Sequence, residues 1–280
     1  MVREVPAADI TAAVRRMCID ANCNLPADAR RCLAAARHRE IYAPARGILD
    51  RIIENYGIAA ESGVPICQDT GVACVFVEIG QGVAVVGDLA AAINEGVRLG
   101  YEDGFLRKSL VADPIRRTNT GDNTPAMIHY DIVPGDGLRI TVAPKGFGSE
   151  NMSRIRMLVP ADGLDGVRAF VLETVEAAGP NPCPPVVVGV GLGGTFDKAA
   201  LLAKKALLRD LDDVHPDPFY ADLESRLLDE INALGIGPQG FGGRTTALAV
   251  KIGAMATHIA GLPVAVNINC HVARHASEEL

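Results

Sequence analysis

The chain has 280 residues, of which 49% are hydrophobic and 22% charged, and its formal net charge is −7. This composition is typical of a globular protein, and the length allows one large domain or two lobes. Aromatic residues make up only 4% and no basic run occurs, which argues against a nucleic-acid partner. We expect a cytoplasmic protein without a membrane partner, because neither a signal segment nor an apolar span is found and the seven cysteines are odd in number.

The N-terminal third predicts mainly helices. Apolar residues recur there at three- and four-residue spacing over residues 10–19, 27–36 and 44–58. Residues 72–79 then form a continuous β-branched run that predicts a buried strand. Asp88 predicts the N-cap of a helix that ends near residue 99.

The rest of the chain mixes strands and helices without a repeat. Alternating residues at 127–133 and 138–142 flank the turn at 134–137 and predict a hairpin. The fold class is therefore α/β in the mixed α+β sense, with two lobes of mixed sheets flanked by helices. The Pro-rich loop 178–185 is the expected seam between the lobes. The other predicted helices are 165–178, 196–208 and 219–234, and the other predicted strands are 186–190, 245–252 and 263–268.

Three cysteines lie where helices or strands should break. Cys67 lies in the polar turn 66–71, Cys183 lies between prolines, and Cys270 ends a strand. Three thiolates that the fold brings together can hold an iron–sulfur cube and leave one iron open to a hydroxy acid. Burial as a small apolar side chain is the alternative for any single cysteine. The remaining cysteines are assigned to packing: Cys18, Cys23, Cys32 and Cys74.

The segment from Gly189 to Gly194 matches the dinucleotide pattern G-x-G-x-x-G, after a predicted strand and before a predicted helix. Helix amides could hold a pyrophosphate there. The second strand that should follow is missing, because residues 210–218 contain no apolar run. The alternative is a turn that lets a cluster or a carboxylate come close to backbone amides.

Two further loops combine glycines with hydrogen-bond donors. Residues 145–151, Lys-Gly-Phe-Gly-Ser-Glu-Asn, can wrap a carboxylate with amide and side-chain donors. Arg244 lies near the end of the Gly-rich loop 240–246 and can present its guanidinium to an anion. A polar surface turn is the alternative for the first loop. His258 and His271 lie near Cys270, where an isolated histidine is more often structural than catalytic.

Six motifs follow one another along the chain: Cys67-Gln-Asp-Thr-Gly, Gly-Asp-Asn-Thr-Pro125, Lys145-Gly-Phe-Gly-Ser-Glu-Asn, Cys183-Pro-Pro, Gly240-Phe-Gly-Gly-Arg-Thr-Thr and Leu262-Pro-Val-Ala-Val-Asn-Ile-Asn-Cys270. In this order they resemble the iron–sulfur hydro-lyase family of class I fumarate hydratases and L-tartrate dehydratases. The resemblance covers nearly the whole chain and is closest to the α subunit of the two-subunit form. Phe147 departs from the pattern, because that loop commonly has a glycine at this position.

The resemblance implies an iron–sulfur hydro-lyase α-type catalytic domain over residues 1–280. It also implies a [4Fe–4S] cluster with one iron open to substrate. The site residues that it implies are Asp69 and His258 for catalysis, Gln68, Arg107 and Gly148 for substrate binding, and Cys67, Cys183 and Cys270 as cluster ligands.

The reaction that the resemblance implies is reversible hydration of fumarate to (S)-malate, a step of the tricarboxylic acid cycle. Dehydration of L(+)-tartrate to oxaloacetate is the alternative, because malate and tartrate differ by one hydroxyl. The family's swivelling C-terminal domain implies a separate β subunit as the partner. Two other classes stay open: a non-catalytic iron–sulfur scaffold subunit and a zinc hydrolase.

Overall fold

The computed structural model describes residues 2–280, which form two compact units of mixed α+β structure. This fold class confirms the sequence prediction. Residues 178–185 lie inside the second unit. Unit 1 comprises residues 2–26, Tyr56–Phe147 and Arg274–Leu280, and unit 2 comprises Ala27–Asn55 and Gly148–Ala273.

The N-terminal segment is mainly helical, as predicted, and the later helices and strands alternate irregularly. The helices are α1 (Ala7–Cys23), α2 (Ala27–Arg39), α3 (Ala43–Ser62), α4 (Leu89–Asp103), α5 (Phe147–Glu150), α6 (Gly163–Ala178), α7 (Phe196–Ala206) and α8 (Pro218–Ala233). The strands are β1 (Arg3–Pro6), β2 (Val72–Gly80), β3 (Val83–Val86), β4 (Met127–Val133), β5 (Leu138–Lys145), β6 (Arg154–Leu158), β7 (Val186–Gly194), β8 (Ala247–Thr257), β9 (Leu262–Asn269) and β10 (Ala276–Glu279). No helix within residues 2–280 has both the length and the apolar character that a bilayer crossing needs.

Unit 1 is built on a four-stranded sheet in the order β10-β5-β2-β4. β2 runs parallel to β4 and antiparallel to β5, so the predicted hairpin of β4 and β5 is wrong. The first six residues of β2 are all buried, and a strand buried in this way takes the centre of a sheet, with a partner on each side. The turn after β4 bonds to the end of β2 instead, since Gly80 N donates to Gly137 O at 2.8 Å.

Helices α1 and α4 pack against this sheet and form one core with it. The predicted N-cap of α4 is confirmed, because Asp88 Oδ1 accepts a hydrogen bond from Ala91 N at 2.9 Å. Ile10 and Val14 of α1 and Ile93 of α4 are fully buried in this core. The core thereby supports the turn that precedes β2.

Unit 2 is built on a second four-stranded sheet in the order β6-β9-β7-β8. β7 is parallel to β8 and antiparallel to β9. Val186, Val188 and Val190 of β7 face a core that includes α6 and α8. The alternate positions of β7 face the other way, toward α7.

Glycines allow α7 to approach β7 closely. A Cβ added to Gly191 would lie 2.0 Å from Ala199 O, and one added to Gly189 would lie 2.1 Å from Ala203 O. Both glycines lie inside the strand rather than in a loop. For these two residues the pyrophosphate interpretation and the cluster-turn interpretation are both wrong, because helix packing explains the missing side chains.

We expect Gly191→Ala to lower the free energy of unfolding by about 2 kcal/mol or more, because the new methyl group would push α7 from the sheet. Gly47→Ala is the matched control, since nothing lies within 4 Å of its added Cβ and it lies in α3. That change should be neutral or stabilise by up to about 1 kcal/mol. Urea denaturation measures both, and equal effects would contradict the packing role.

Candidate active site

The turn that contains Cys67 lies between α3 and β2, and the Asp69 carboxylate fixes it. Asp69 Oδ1 accepts the Gly71 amide at 3.0 Å, and Asp69 Oδ2 accepts the Phe147 amide at 2.9 Å. One carboxylate therefore joins the cysteine turn to the start of the predicted substrate loop. Cys67 is half-buried and Gln68 is exposed.

Two buried side chains hold the same turn from beneath. The Tyr101 hydroxyl lies 2.8 Å from Thr70 O and 3.0 Å from Gly71 O. Burial raises the pKa of Tyr101, so its hydroxyl keeps its proton and acts as a donor. Asn123 Nδ2 also donates to Gly71 O, at 3.2 Å. The predicted turn segment at 121–125 therefore supports the cysteine turn.

Arg107 has a fixed backbone and an exposed side chain. Its carbonyl oxygen accepts a hydrogen bond from Thr70 Oγ1 at 3.0 Å. Further along the chain, Asn123 Oδ1 accepts hydrogen bonds from the amides of Ser109 and Leu110. Within residues 2–280 the guanidinium makes no hydrogen bond or ion pair. It is therefore available to an anion, and its role in substrate binding stays a prediction.

Arg274 is a charged residue of this region that the sequence analysis missed. It is 5% exposed, and its guanidinium donates to Asp69 O and to Pro144 O. Its Nη1 is buried and has no partner among residues 2–280. A positive charge therefore lies beneath the cysteine turn. The only sequence signal for Arg274 is its position four residues after Cys270.

Unit 2 brings the backbone around Cys183 and the residue after Cys270 together. His271 Nδ1 lies 3.0 Å from Cys183 O. The backbone amide and the side-chain amide of Gln239 both donate to Pro184 O, at 2.8 and 2.9 Å. Cys183 is exposed and has a φ of +56°, and Gln239 has a φ of +54°. These contacts hold the Cys183 turn in a conformation that non-glycine residues rarely adopt.

A buried carboxylate that the sequence did not predict holds the loop with Arg244. Glu40 is 0% exposed, and its Oε2 accepts Arg244 N at 2.8 Å and Thr245 Oγ1 at 2.9 Å. Its Oε1 accepts the amides of Ile41 and Tyr42, each at 3.0 Å. The loop is thus fixed while the Arg244 side chain stays exposed.

The electrostatics of Glu40 follow from these bonds. Burial by itself would raise its pKa, but the hydrogen bonds from Tyr42, Thr245, Arg244 and Ile41 outweigh burial and lower it. Glu40 is therefore charged in the folded protein at neutral pH.

Two further predicted site residues, His258 and Gly148, are exposed in unit 2. His258 follows β8, and its Nδ1 accepts the Ala260 amide at 3.1 Å. A neutral ring with Nδ1 as an acceptor carries its proton on Nε2. Gly148 is exposed within α5.

Six of the seven thiols divide into two groups by their surroundings. Burial raises the pKa of Cys18 to about 12 and also raises the pKa of Cys23 and Cys32, which disfavours the thiolate that a metal needs. Cys67 and Cys270 are partly exposed, Cys183 is exposed, and no disulfide occupies them.

Cys67 belongs to unit 1, whereas Cys183 and Cys270 belong to unit 2. Within residues 2–280 no three histidine, cysteine or acidic side chains form a group placed to hold a metal ion. The donor chemistry nevertheless fits a thiolate-held iron group, because the three predicted ligands are the accessible thiols in turns and the buried Arg274 adds positive charge beside the Cys67 turn.

Comparison with known proteins decides the family. The family model described as "Fumarate hydratase (Fumerase)" matches residues 11–279. The chain belongs to the class I fumarate hydratase and tartrate dehydratase α-subunit family. It is 44% identical to a protein of Methanocaldococcus jannaschii provisionally named L(+)-tartrate dehydratase subunit alpha, over 91% of this chain and 92% of that one. It is 36% identical to the L(+)-tartrate dehydratase subunit alpha of Escherichia coli strain UTI89, over 82% of this chain and 77% of that one.

Membership of this family makes the chain a hydro-lyase subunit of a family that depends on iron–sulfur clusters. The names of the relatives as alpha subunits also imply a partner subunit. The sequence prediction of the family is therefore confirmed.

We expect Glu40→Gln to lower the free energy of unfolding by about 2 kcal/mol at pH 7, because four hydrogen bonds to a charged acceptor are weakened. The folded pKa of Glu40 is depressed, so this contribution is present above the unfolded pKa and is lost as the pH falls through the folded pKa. The difference from the wild type should therefore shrink below about pH 4.

Urea denaturation at several pH values measures this difference, and hydrogen exchange of the amides at 241–246 should speed up in the variant. Glu61→Gln, at an exposed position of α3, is the control for loss of one charge. A pH-independent difference would contradict the carboxylate's role.

Proposed function

We propose that the chain is the α subunit of an iron–sulfur-dependent hydro-lyase that reversibly hydrates fumarate to (S)-malate. It would work with a separate β subunit that carries the swivelling C-terminal domain. The observation that supports this most directly is the Asp69 carboxylate, which fixes the Cys67 turn and the 145–151 loop to one another within a hydro-lyase family.

The proposed cluster ligands are the thiolates of Cys67, Cys183 and Cys270. When bound, a [4Fe–4S] cluster with one iron open to substrate supplies a Lewis acid for the oxygen that is added or removed. The supported turns around Cys67 and Cys183 favour this role, because a ligand on a fixed backbone loses little entropy when it binds.

Arg107, Gln68 and Gly148 are the proposed substrate-binding residues. The exposed guanidinium of Arg107 can grip one carboxylate through two parallel N–H···O bonds. The side-chain amide of Gln68 can donate to the same dianion, and the backbone amide of Gly148 can donate from the substrate loop. Each of these donors is exposed.

Asp69 and His258 are the proposed catalytic residues. Asp69 orients the substrate or its hydroxyl, or transfers a proton, and the two amides that it accepts favour the orienting role. His258 supports proton transfer through Nε2, because its Nδ1 already accepts the Ala260 amide.

L(+)-tartrate dehydration is the second candidate, and the names of the relatives favour it. Phe147 favours fumarate and malate instead. Its ring is 49% exposed in the substrate loop, and an apolar ring offers no partner for the additional hydroxyl of tartrate.

An anaerobic assay of the α/β pair with fumarate, (S)-malate and both tartrates tests the substrate. We expect kcat/KM for fumarate to exceed that for L(+)-tartrate at least tenfold, which corresponds to about 1.4 kcal/mol in the transition state. The reverse ratio would establish the tartrate alternative. Turnover of none of these acids would overturn both.

We expect Cys183→Ser to lose the absorbance near 400 nm and the activity together, because one thiolate ligand is removed. Cys32→Ser is the control, since Cys32 lies in α2 and burial raises its pKa. The control should keep both properties.

Activity in a colourless Cys183→Ser variant would contradict the cluster proposal, whereas colour without activity in the wild type would favour the scaffold alternative. Zinc in place of iron and sulfide would identify the hydrolase alternative.

A further inference from the structure

The two four-stranded sheets end in β10, β4, β6 and β8, and three of these edges are protected against pairing. β10 has four residues and ends in Glu278 and Glu279. β6 has two arginines, Arg154 and Arg156, that pair with Glu173. On β8, Glu224 Oε1 accepts the Ile252 amide at 2.7 Å. These devices are the ones by which native sheets avoid unwanted partners.

β4 lacks such protection. It has seven residues, and Met127, Tyr130 and Ile132 are 42%, 47% and 76% exposed. The strand contains three titratable side chains, those of His129, Tyr130 and Asp131. The His129 ring stacks on Phe76. A long and mainly apolar edge strand is a template for another strand.

The direction of its backbone groups follows from two hydrogen bonds. Val133 O accepts a hydrogen bond at 2.9 Å from the amide of Gln81, the residue directly after β2. The backbone amides and carbonyls of the odd-numbered residues of β4 therefore point toward β2. The Ala126 amide, just before β4, does not donate to β2 but donates to Asn94 Oδ1 on the outer side, at 2.8 Å. The backbone groups of the even-numbered residues therefore point outward.

Three outward-pointing residues lie within the strand: Ile128, Tyr130 and Ile132. Among residues 2–280 nothing forms a hydrogen bond with their backbone groups. Their amides and carbonyls are spaced to pair with an antiparallel strand in which every second residue also points its backbone groups toward β4.

We propose that β4 pairs antiparallel with β4 of a second copy of this chain, with the two-fold axis at Tyr130. Ile128 would lie opposite Ile132 of the second copy, and each would exchange both of its backbone hydrogen bonds. The β10-β5-β2-β4 sheets of the two copies would then join into one continuous sheet. The interface is isologous, because the same strand serves on both sides.

The strand is most complementary to itself in this register. With the axis at Tyr130, Met127 lies opposite Val133 and all seven residues pair. His129 then lies opposite Asp131, so groups that attract one another meet. An axis at 129 would place the histidine opposite itself, and an axis at 131 would place two carboxylates opposite one another, which is destabilising. This complementarity identifies a second copy as the occupant.

A symmetric cross-link tests the register. The Cα atoms of a hydrogen-bonded pair lie about 5.5 Å apart, within the range that a disulfide spans. Mild oxidation of Tyr130→Cys in the purified chain, alone and with its β subunit, should therefore join two α chains. Ile132→Cys is the matched control, because four residue steps place its copies about 14 Å apart across the axis.

Non-reducing gels with peptide mass spectrometry measure the cross-link against the wild type, which has its own seven cysteines. A cross-link through position 130 but not through position 132 supports the proposal. Equal cross-linking of both variants, or of neither, overturns it.

Ile132→Lys tests the association itself. The position is 76% exposed, so the monomer should fold unchanged, while two lysines per interface should raise the dissociation constant of the dimer at least tenfold. Ile115→Lys, at a position of unit 1 that is 86% exposed, is the control and should leave association unchanged. Sedimentation equilibrium measures both variants.

A single copy of the α chain in the wild-type complex, or an Ile132→Lys complex of unchanged mass, overturns the proposal. So does a variant that keeps two α copies but releases the β subunit, because the β subunit would then be the occupant of this edge. Neither readout uses activity, so the result is independent of the proposed reaction.

Discussion

Buried and partly buried side chains that bond to backbone groups hold the loops of the candidate site. These loops have no ladder of their own to satisfy their amides and carbonyls. Tyr101 and Asn123 hold the turn of Cys67, Glu40 holds the loop of Arg244, and Gln239 holds the turn of Cys183. The loops are therefore shaped before a ligand arrives, which reduces the entropy lost on binding.

The same arrangement leaves the reactive groups for ligands. The side chains of Arg107 and Arg244 are exposed although their backbones are fixed, and the Arg274 guanidinium lies buried beneath the Cys67 turn. A chain with a net charge of −7 thus places cations at the segments that the family motifs identify. Local charge, rather than net charge, determines whether a dianion is attracted.

The sequence predicts what local signals determine. The Asp88 cap and the amphipathic helices follow from residues within a few positions of one another, and the ordered motifs identify the family. Contacts between distant residues escaped prediction. Glu40 bonds to Thr245, 205 positions away, and β2 separates two strands that a short turn connects. Neither contact produces a periodic pattern in the sequence, because both depend on which surfaces meet after the helices and strands have formed.

The most direct test of the account is Mössbauer spectroscopy of the α chain reconstituted anaerobically with ⁵⁷Fe and sulfide. If three thiolates of this chain hold a four-iron cluster with one open position, the spectrum should show a [4Fe–4S] cluster, and addition of a dicarboxylate substrate should change the signal of one iron in four. A cluster whose irons all stay unchanged with substrate, or a chain that takes up no iron, would contradict it.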